Sequence, residues 1–413
     1  MRILTVMFLF LSATLLRAQE PGPEVTSWIQ NATGATGYHG LLTNVQKVQY
    51  STGFVYVSCT CIPGYDIGPW AGNPNQPANQ NFVFKLTRTP APNSGTPVGT
   101  PLGHIGIWRN GVSMFNAKDA RSYNNGGSWN QNAIVVEGSS FDSCLGHPAP
   151  NGEYHHHLNP RCLYDDHDSL HHSPIIGYAF DGYPMYGAYG FSSPTGTGPI
   201  ARIRSSYRLR DITKRTTGPG GAPLDAAKYG PDVSTQYPLG YYVEDFEFVS
   251  GSGDLDEHNG RLCVTPEYPG GTYAYFVTLD ANGIAAYPYT VGPAYYGAVP
   301  GGNTGPQSGH NTPGEPVTTY SSGSAGTDEQ ANSDWNIFPN PATVEITVQA
   351  PEHGVRWRAS LNDLLGHEVR ALGNISSGER LTVSVDGMPS GNYFVRLESG
   401  RESRTTGVTI TGK

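Results

Sequence analysis

The sequence predicts a mainly β protein, with a large sandwich-like body and a small Ig-like β-sandwich at the C-terminus. Among 413 residues there are 53 Gly, 33 Pro and 25 Tyr. Its apolar stretches are short, rich in β-branched and aromatic residues and separated by Gly, Pro and Asn, which is the pattern of strands joined by turns. Charged residues make up only 14% of the chain, and the net charge is −9. We therefore expect no nucleic-acid partner.

The first 18 residues predict a secretory signal peptide. Arg2 supplies the positive start, Ile3 to Leu16 form an apolar segment, and Ala18 provides a small residue at the cleavage point. The segment is short for a membrane span. No second apolar run of comparable length follows. We expect a protein that is located outside the cytoplasm, with no membrane span after signal removal.

The body, residues 19–296, contains many short runs that predict strands and few that predict helices. Asn110-Gly111 indicates a tight hairpin turn, and Ile203 to Arg215 is the one stretch where we expect a short helix. The predicted strands are FVYVSC (54–59), NFVFKL (81–86), HIGIW (104–108), AIVVEG (133–138), SPIIGYAF (173–180) and GTYAYFVTL (271–279).

A segment rich in Gly, Ser and Pro, residues 297–333, has no apolar periodicity and predicts a flexible linker. Residues 334–413 follow it with short alternating runs at 344–348, 381–385, 393–397 and 407–410. In the first run Val344, Ile346 and Val348 share one face, which is typical of a half-buried strand in a small antiparallel sandwich.

The motifs IFPNPATVEITV, LNDLLGHEVR, MPSGNYFVRLESG and GVTITGK occur in this order along the tail. Together they resemble the C-terminal sorting domain of type IX secretion. The resemblance implies that the outer-membrane type IX machinery handles the chain, and that passage across the outer membrane is often followed by removal of the tail.

The five cysteines suit an oxidising compartment. Cys144 and Cys162 bracket a histidine-rich stretch, and we expect a disulfide bond between them. A loop of this length predicts a stabilisation of about 3 kcal/mol. A second bridge is expected between Cys263 and either Cys59 or Cys61, which leaves one thiol free.

Seven of the thirteen histidines lie between positions 147 and 172, and three of them are consecutive in GEYHHHLNP (152–160). If this stretch is a strand, His155 and His157 share one face, while Tyr154 and His156 share the other. Two imidazoles at this spacing can bind one metal ion. We predict His155 and His157 as ligands. His156, together with His167 and His171, is expected to face solvent.

Further ligands must come from elsewhere in the chain. The turn at Asn151-Gly152 can carry His147 back towards His155, and His172 stands just before a buried run. We predict both as additional ligands of copper or zinc, the metals that imidazole-rich sites favour. Asp181 and Glu257 are candidate general bases. Tyr154, Tyr183, Tyr186, Asn259 and Arg261 are the predicted pocket residues.

The body also carries the motifs GHPAPNGEYHHHLNP, HSPIIGYAFDGYPMYGAYG, LGYYVEDFEF and LDEHNGRLCVTPEYPGG in order. Over roughly residues 40 to 297 it resembles the YHYH-domain proteins. The name-giving motif becomes Tyr154-His155-His156-His157, so both histidines are kept and the second tyrosine is replaced. The resemblance marks motif positions and implies no particular reaction.

Three classes of function follow from these observations. The first is a secreted copper- or zinc-binding protein whose site is built on the His-x-His strand. The second is a metal-dependent hydrolase or oxidase, although no nucleophile elbow or His-Glu-x-x-His motif is present. The third is a module that binds polysaccharide at the cell surface through its Tyr-rich loops.

Overall fold

The computed structural model describes residues 21–305, 308–321, 336–339, 342–350, 356–363, 367–376, 378–399 and 402–411. The chain divides into two compact units, Met1–Ser324 and Ala325–Lys413. The predicted signal peptide lies outside the described residues. Within the ranges just given, no helix is long and apolar enough to cross a membrane.

The first unit is built from short strands with very little helix. The helices are α1 (Pro23–Thr26) and α2 (Ala133–Glu137), with 3₁₀ turns at Tyr38–Gly40, Tyr123–Asn125, Gly138–Ser140, Pro219–Gly221, Ala226–Lys228 and Val243–Asp245. The strands are β1 (Val45–Tyr50), β2 (Phe54–Cys59), β3 (Phe82–Thr87), β4 (His104–Trp108), β5 (Ser113–Phe115), β6 (Lys118–Ser122), β7 (Asn130–Asn132), β8 (His147–Pro148), β9 (Tyr154–His156), β10 (Ile175–Ala179), β11 (Pro184–Tyr186), β12 (Tyr189–Phe191), β13 (Ile200–Arg202), β14 (Tyr207–Leu209), β15 (Phe246–Phe248), β16 (Gly260–Cys263), β17 (Thr272–Phe276) and β18 (Thr318–Tyr320).

Two large sheets form the core of the body, and three two-stranded sheets (β6-β7, β12-β13 and β14-β15) accompany them. The larger has the order β16-β17-β11-β10-β4-β5-β9-β8, and the smaller has the order β18-β1-β2-β3. Most neighbours are antiparallel, but β11 with β17 and β5 with β9 are parallel pairs. Buried side chains from both sheets, such as Val57, Phe84, Ile107 and Tyr178, belong to one hydrophobic core. The predicted mainly β, sandwich-like body is therefore confirmed.

Local sequence explains several elements directly. The predicted strands FVYVSC and HIGIW match β2 and β4, and the chain turns between β4 and β5 at Asn110-Gly111, where Gly111 has φ +83°. Only a residue without a Cβ adopts such a backbone angle at low cost. The same chemistry reverses the chain at Gly152 (φ +81°), between β8 and β9.

Two secondary-structure predictions are wrong. AIVVEG (133–138) forms the helix α2 rather than a strand, because the side chain of Asn132 accepts a hydrogen bond from the backbone N–H of Ile134 and caps the helix. Its β-branched residues favour strands only weakly in comparison with such a cap. The helix expected over Ile203 to Arg215 is absent, because this stretch contains β14, which pairs with β15.

The predicted linker is also wrong in its first part. Asn303 is fully buried and exchanges hydrogen bonds with the backbone of Lys85. Farther along, β18 pairs with β1. Residues 322–333 lie outside the described part of the chain. The body therefore continues through a segment whose composition alone indicated a linker.

The second unit contains β19 (Asn336–Phe338), β20 (Glu345–Gln349), β21 (Arg356–Asn362), β22 (Glu368–Ser376), β23 (Arg380–Ser384), β24 (Gly391–Ser399) and β25 (Glu402–Ile410). Its sheets have the orders β19-β20-β23 and β22-β21-β24-β25. Ile346 and Val348 are buried in its core as predicted, whereas Val344 precedes β20 and is 49% exposed. The predicted C-terminal β domain is confirmed.

The disulfide bond between Cys144 and Cys162 is present as predicted. The second predicted bridge is wrong, because Cys59, Cys61 and Cys263 are free and buried. The Sγ of Cys61 lies 3.0 Å from the carbonyl oxygen of Tyr154, to which the thiol donates. Cys263 lies on the edge strand β16 of the larger sheet, whereas Cys59 ends β2 of the smaller one.

Candidate metal centre

The hairpin formed by β8 and β9 brings three histidines together. His147 is the cross-strand partner of His155, and the backbone N–H of Gly152 closes the turn on the carbonyl of Ala149. Directly opposed side chains on one face of a hairpin are close neighbours. His157 follows His155 by two residues and therefore extends from the same face. This alternation is what the sequence predicted for His155 and His157.

The three Nε2 atoms converge. The Nε2 of His155 lies 3.0 Å from the Nε2 of His147 and 3.2 Å from that of His157. Each residue offers one ligand atom, and all three atoms lie within 4.8 Å of one another. All three side chains are at most 5% exposed. The ring of Phe115 stacks on His155 at 3.8 Å between centroids and holds its orientation.

The hydrogen bonds of the Nδ1 atoms fix the tautomers of His155 and His157. The Nδ1 of His155 lies 3.0 Å from the carbonyl oxygen of Glu153, and the Nδ1 of His157 lies 2.6 Å from that of Asn116. A carbonyl oxygen only accepts hydrogen bonds, so both Nδ1 atoms carry the proton. When the rings are neutral, each Nε2 is a bare lone pair.

The same reasoning applies to His147. Its Nδ1 lies 2.8 Å from the Oγ of Ser140, and that hydroxyl donates its own proton to the carbonyl oxygen of Glu137. The hydroxyl therefore accepts from the Nδ1–H of His147. Three imidazole lone pairs thus face one point, each ring held from behind by a hydrogen-bond acceptor, which is how proteins orient metal-binding histidines.

Glu137 supplies a fourth donor atom that the sequence analysis missed. Its Oε2 lies 3.3 Å from the Nε2 of His157 and 3.6 Å from that of His147. This oxygen is buried and has no hydrogen-bond donor. Because AIVVEG was interpreted as a strand, Glu137 was not considered. The signal that could have found it is Asn132, a good helix N-cap directly before the run.

Burial and mutual repulsion keep the imidazoles of His147 and His155 neutral. Burial, then the neighbouring His157, lowers the pKa of His147 to about 4. The same two causes, burial first, lower the pKa of His155 well below its ordinary value. At neutral pH His147 and His155 therefore offer neutral nitrogens, the form of imidazole that binds metals.

A cavity of about 610 Å³ opens beside this cluster. His147, His155, His157 and Glu137 all line it, and its volume is that of a small-molecule site. The other lining residues come from the loop 71–75, from Leu102, Gly103 and Phe115, from Lys118, Asp119, Ala120 and Arg121, from Val136, Ser139 and Ser140, and from 148–150.

His156 occupies the opposite face of β9, and the expectation that it faces solvent is wrong. It is fully buried against Trp108 and Tyr154, with ring contacts at 6.3 and 5.2 Å. Burial lowers its pKa to about 3. Tyr154, a predicted pocket residue, donates from its hydroxyl to Asp142 at 2.9 Å on this same face. His156 and Tyr154 thus pack on the face of β9 that points away from the cluster. His167 and His171 are exposed as predicted.

His172, a predicted ligand, does not join the cluster. Its Nδ1 donates to the carbonyl oxygen of Ser173, and its ring packs against Tyr186 and Phe191 at 5.1 Å. It precedes β10, which is separated from β9 by β4 and β5 in the sheet order. The chain does not fold back to carry it across those strands.

Asp181 and Tyr183, predicted as a base and a pocket residue, lie outside the cavity lining. Asp181 is fully buried and accepts hydrogen bonds from the hydroxyl of Tyr275 at 2.6 Å and from the N–H of Gly297 at 2.8 Å. Burial, opposed by these hydrogen bonds, raises its pKa to about 6. Tyr183 packs edge-on against Tyr273. Both have structural roles in the core.

Glu257, Asn259 and Arg261 also lie away from the histidines. Glu257 and Asn259 precede β16, and Arg261 lies in it. In the sheet order β16 is six strands from β9, which corresponds to about 29 Å at the usual strand spacing. Asn259 bonds the carbonyls of Phe276 and Thr290, and Arg261 bonds that of Phe191. None of these three residues lines the cavity beside the histidine cluster.

A second histidine network lies behind the cluster. His104 Nδ1 is 2.9 Å from a carboxylate oxygen of Glu153, and its Nε2 is 2.9 Å from the Oγ of Ser308. The spacing is that of a Ser-His-acid triad. However, the hydroxyl of Ser308 donates to backbone carbonyls, and Ser308 does not line the cavity beside the histidine cluster. We interpret this Glu153–His104–Ser308 network as a structural contact that holds the segment after Asn303 in place.

The fold and site together define a class of exported β protein with a buried histidine cluster at one edge of its main sheet. Comparison with family models agrees with this class. The model described as YHYH protein matches residues 83–287, and the model described as secretion system C-terminal sorting domain matches residues 336–411. No curated protein matches the chain in sequence.

The chain is therefore a YHYH-domain protein with a C-terminal sorting domain. The sorting domain indicates handling by the type IX secretion machinery, and with it secretion or display at the outer-membrane surface. The matched YHYH region contains every residue of the histidine cluster together with Glu137.

Proposed function

We propose that the YHYH domain binds one transition-metal ion through His147, His155, His157 and Glu137. The observation that carries this proposal is the set of tautomers: three Nδ1–H groups are bound to acceptors, so three bare Nε2 lone pairs and one unpartnered carboxylate oxygen face the same point. Buried acceptors without donors are costly. A cation at that point would satisfy all four.

The distances between donor atoms fit such an ion. Two nitrogens that each lie about 2.05 Å from a tetrahedral metal are about 3.3 Å apart. Four of the six separations between donor atoms are 3.0, 3.2, 3.3 and 3.6 Å, close to that value. The imidazole-rich donor set suits zinc or copper and disfavours calcium and magnesium.

A proton is the other occupant that these atoms could accept. One proton on the Nε2 of His157 would bridge to Glu137 at 3.3 Å. It would still leave the Nε2 atoms of His147 and His155 facing each other at 3.0 Å without a donor. Protonating either of those rings opposes the lowered pKa that burial gives them. A metal ion therefore accounts for more of the cluster than a proton does.

The test is the metal content of the full chain. Protein purified from metal-replete medium should contain about one zinc per chain by inductively coupled plasma mass spectrometry. The His155→Ala/His157→Ala variant should contain none. The matched control is His167→Ala/His171→Ala, which removes two exposed imidazoles and should keep the ion. Full occupancy in the first variant would refute the site, and one copper per chain would replace zinc in the proposal.

Metal-dependent catalysis is a second candidate, favoured by the cavity that opens on the donor atoms. A site with an accessible coordination position can activate water for hydrolysis or, with copper, support oxidation. In this second role the three imidazoles alone would hold the metal, and Glu137, no longer a ligand, is the carboxylate near enough to act on a water in the fourth position. Screening the metal-loaded chain against esters, phosphoesters, peptides and phenolic reductants tests this role. Activity that disappears on chelation and returns with metal would support it; inactivity on all four classes would count against it.

A further inference from the structure

The lining of the cavity beside the histidines includes two cations without an ion-pair partner among the described residues. Lys118 and Arg121 both line it, and both lie on β6. Throughout the described ranges neither side chain forms a salt bridge. Other arginines of the body contrast with this, since Arg88, Arg204 and Arg215 each pair with a carboxylate.

The charges around the cavity leave a positive excess once an ion is bound. Lys118 and Arg121 balance the two carboxylates of the lining, Asp119 and Glu137. A divalent ion on the histidine cluster would then add charge that no lining residue neutralises. Cavities with fixed charge of one sign concentrate ligands of the opposite sign. An anionic group near the metal would restore the balance.

The rest of the lining is mostly apolar or neutral. Leu102, Phe115 and Val136 contribute side chains without polar groups, and prolines at 74, 148 and 150 contribute rigid apolar surface. Asn73 and Asn75 are turned to the carbonyl of Pro148, to which both donate. A volume of about 610 Å³ accommodates a small molecule but no polymer chain of many units.

We propose that this cavity binds a small organic anion, a carboxylate or a phosphate-type group on an apolar body, with the anionic group between the metal and the cations Lys118 and Arg121. The proposal rests on the metal site proposed above. It adds a class of ligand to that metal site, in contrast to a site that admits only the metal. Arginine and lysine are the usual partners of such oxyanions in proteins.

Calorimetric titration of the zinc-loaded full chain tests the proposal, with phenylphosphonate and benzoate as anionic probes and benzamide as the neutral probe. Both anions should bind at least tenfold more tightly than benzamide. In Lys118→Ala/Arg121→Ala their affinity should fall at least tenfold, with zinc content unchanged. The matched control is Lys47→Ala/Lys214→Ala, which removes two cations outside the cavity lining and should bind as the parent does.

Zinc content measured on the same samples separates the two proposals. If the parent chain holds no metal, the metal site itself fails. If it holds zinc but binds benzamide as well as benzoate, or if Lys118→Ala/Arg121→Ala keeps full affinity for the anions, only the anion proposal fails. Thermal melting of each variant checks folding, and the single variants Lys118→Gln and Arg121→Gln provide a milder test if the double variant is unfolded.

Discussion

Replacing Glu137 with glutamine should stabilise the metal-free protein and weaken its affinity for metal. In the parent chain the Oε2 of Glu137 faces two imidazole nitrogens at 3.3 and 3.6 Å that have no proton to donate. In the Glu137→Gln variant the side-chain NH₂ can donate to one of these nitrogens. One new neutral hydrogen bond contributes about 1 kcal/mol, or about 2 °C in melting temperature for a unit of this size.

The effect on the metal has the opposite sign. A neutral amide is a poorer metal ligand than a carboxylate, and we expect the dissociation constant for zinc to rise about 100-fold. At saturating zinc, ligand linkage converts this change into a loss of about 2.7 kcal/mol of metal-dependent stabilisation. The variant should therefore melt above the parent in chelator and below it in excess zinc. The melting temperatures should cross as zinc is added.

Differential scanning calorimetry in EDTA and over a zinc titration measures both effects. The control is Glu244→Gln, in which the altered carboxylate already accepts hydrogen bonds from the backbone and side chain of Asn130. That variant should lose stability equally with and without zinc. The reasoning is refuted if Glu137→Gln shifts the melting temperature by the same amount in both conditions, because Glu137 would then have no special relation to the metal.

Three further predictions concern residues outside the proposed metal site. His156→Ala should destabilise the body by about 3 kcal/mol because it leaves a cavity beside Trp108, while the metal content stays at the parent level. Chemical unfolding measures the stability and metal analysis measures the content. Loss of the ion would contradict the placement of His156 on the face of β9 away from the cluster. Cys144→Ala/Cys162→Ala should lose about 3 kcal/mol of unfolding free energy through the opened loop, measured against the parent under non-reducing conditions; an unchanged midpoint would show that other contacts hold the loop. Asp181 has a folded pKa of about 6, above its ordinary value of 3.8, so the folded state holds its proton more tightly; this stabilisation is complete below pH 3.8 and is lost as pH rises through about 6. Relative to Asp181→Asn, the parent should therefore lose about 3 kcal/mol of unfolding free energy between about pH 4 and about pH 7.5. Urea unfolding of both proteins at the two pH values measures this. A stability difference between parent and variant that is the same at both pH values would refute the prediction.

Most of the local architecture could be predicted from sequence because it depends on local rules. Strand alternation placed His155 and His157 on one face, and Asn151-Gly152 specified the turn that aligns His147 with His155. The strands FVYVSC and HIGIW, the disulfide bond and the sorting domain were found from short motifs in the same way. In each case the information lies in short stretches of contiguous chain.

The remainder of the site depended on contacts between distant parts of the chain. Glu137 reaches the cluster because Asn132 starts a helix in place of a strand, and Asn116 contributes a backbone carbonyl that no side-chain motif reports. The sequence predicted His172 as a ligand and Glu257 as a general base, but the order of strands in the larger sheet places both far from β9. Sequence periodicity determines which face of a strand a residue occupies, whereas sheet order determines which strands are neighbours. Pairing between strands far apart in sequence depends on the packing of the whole core. Only the tertiary structure could therefore complete the donor set.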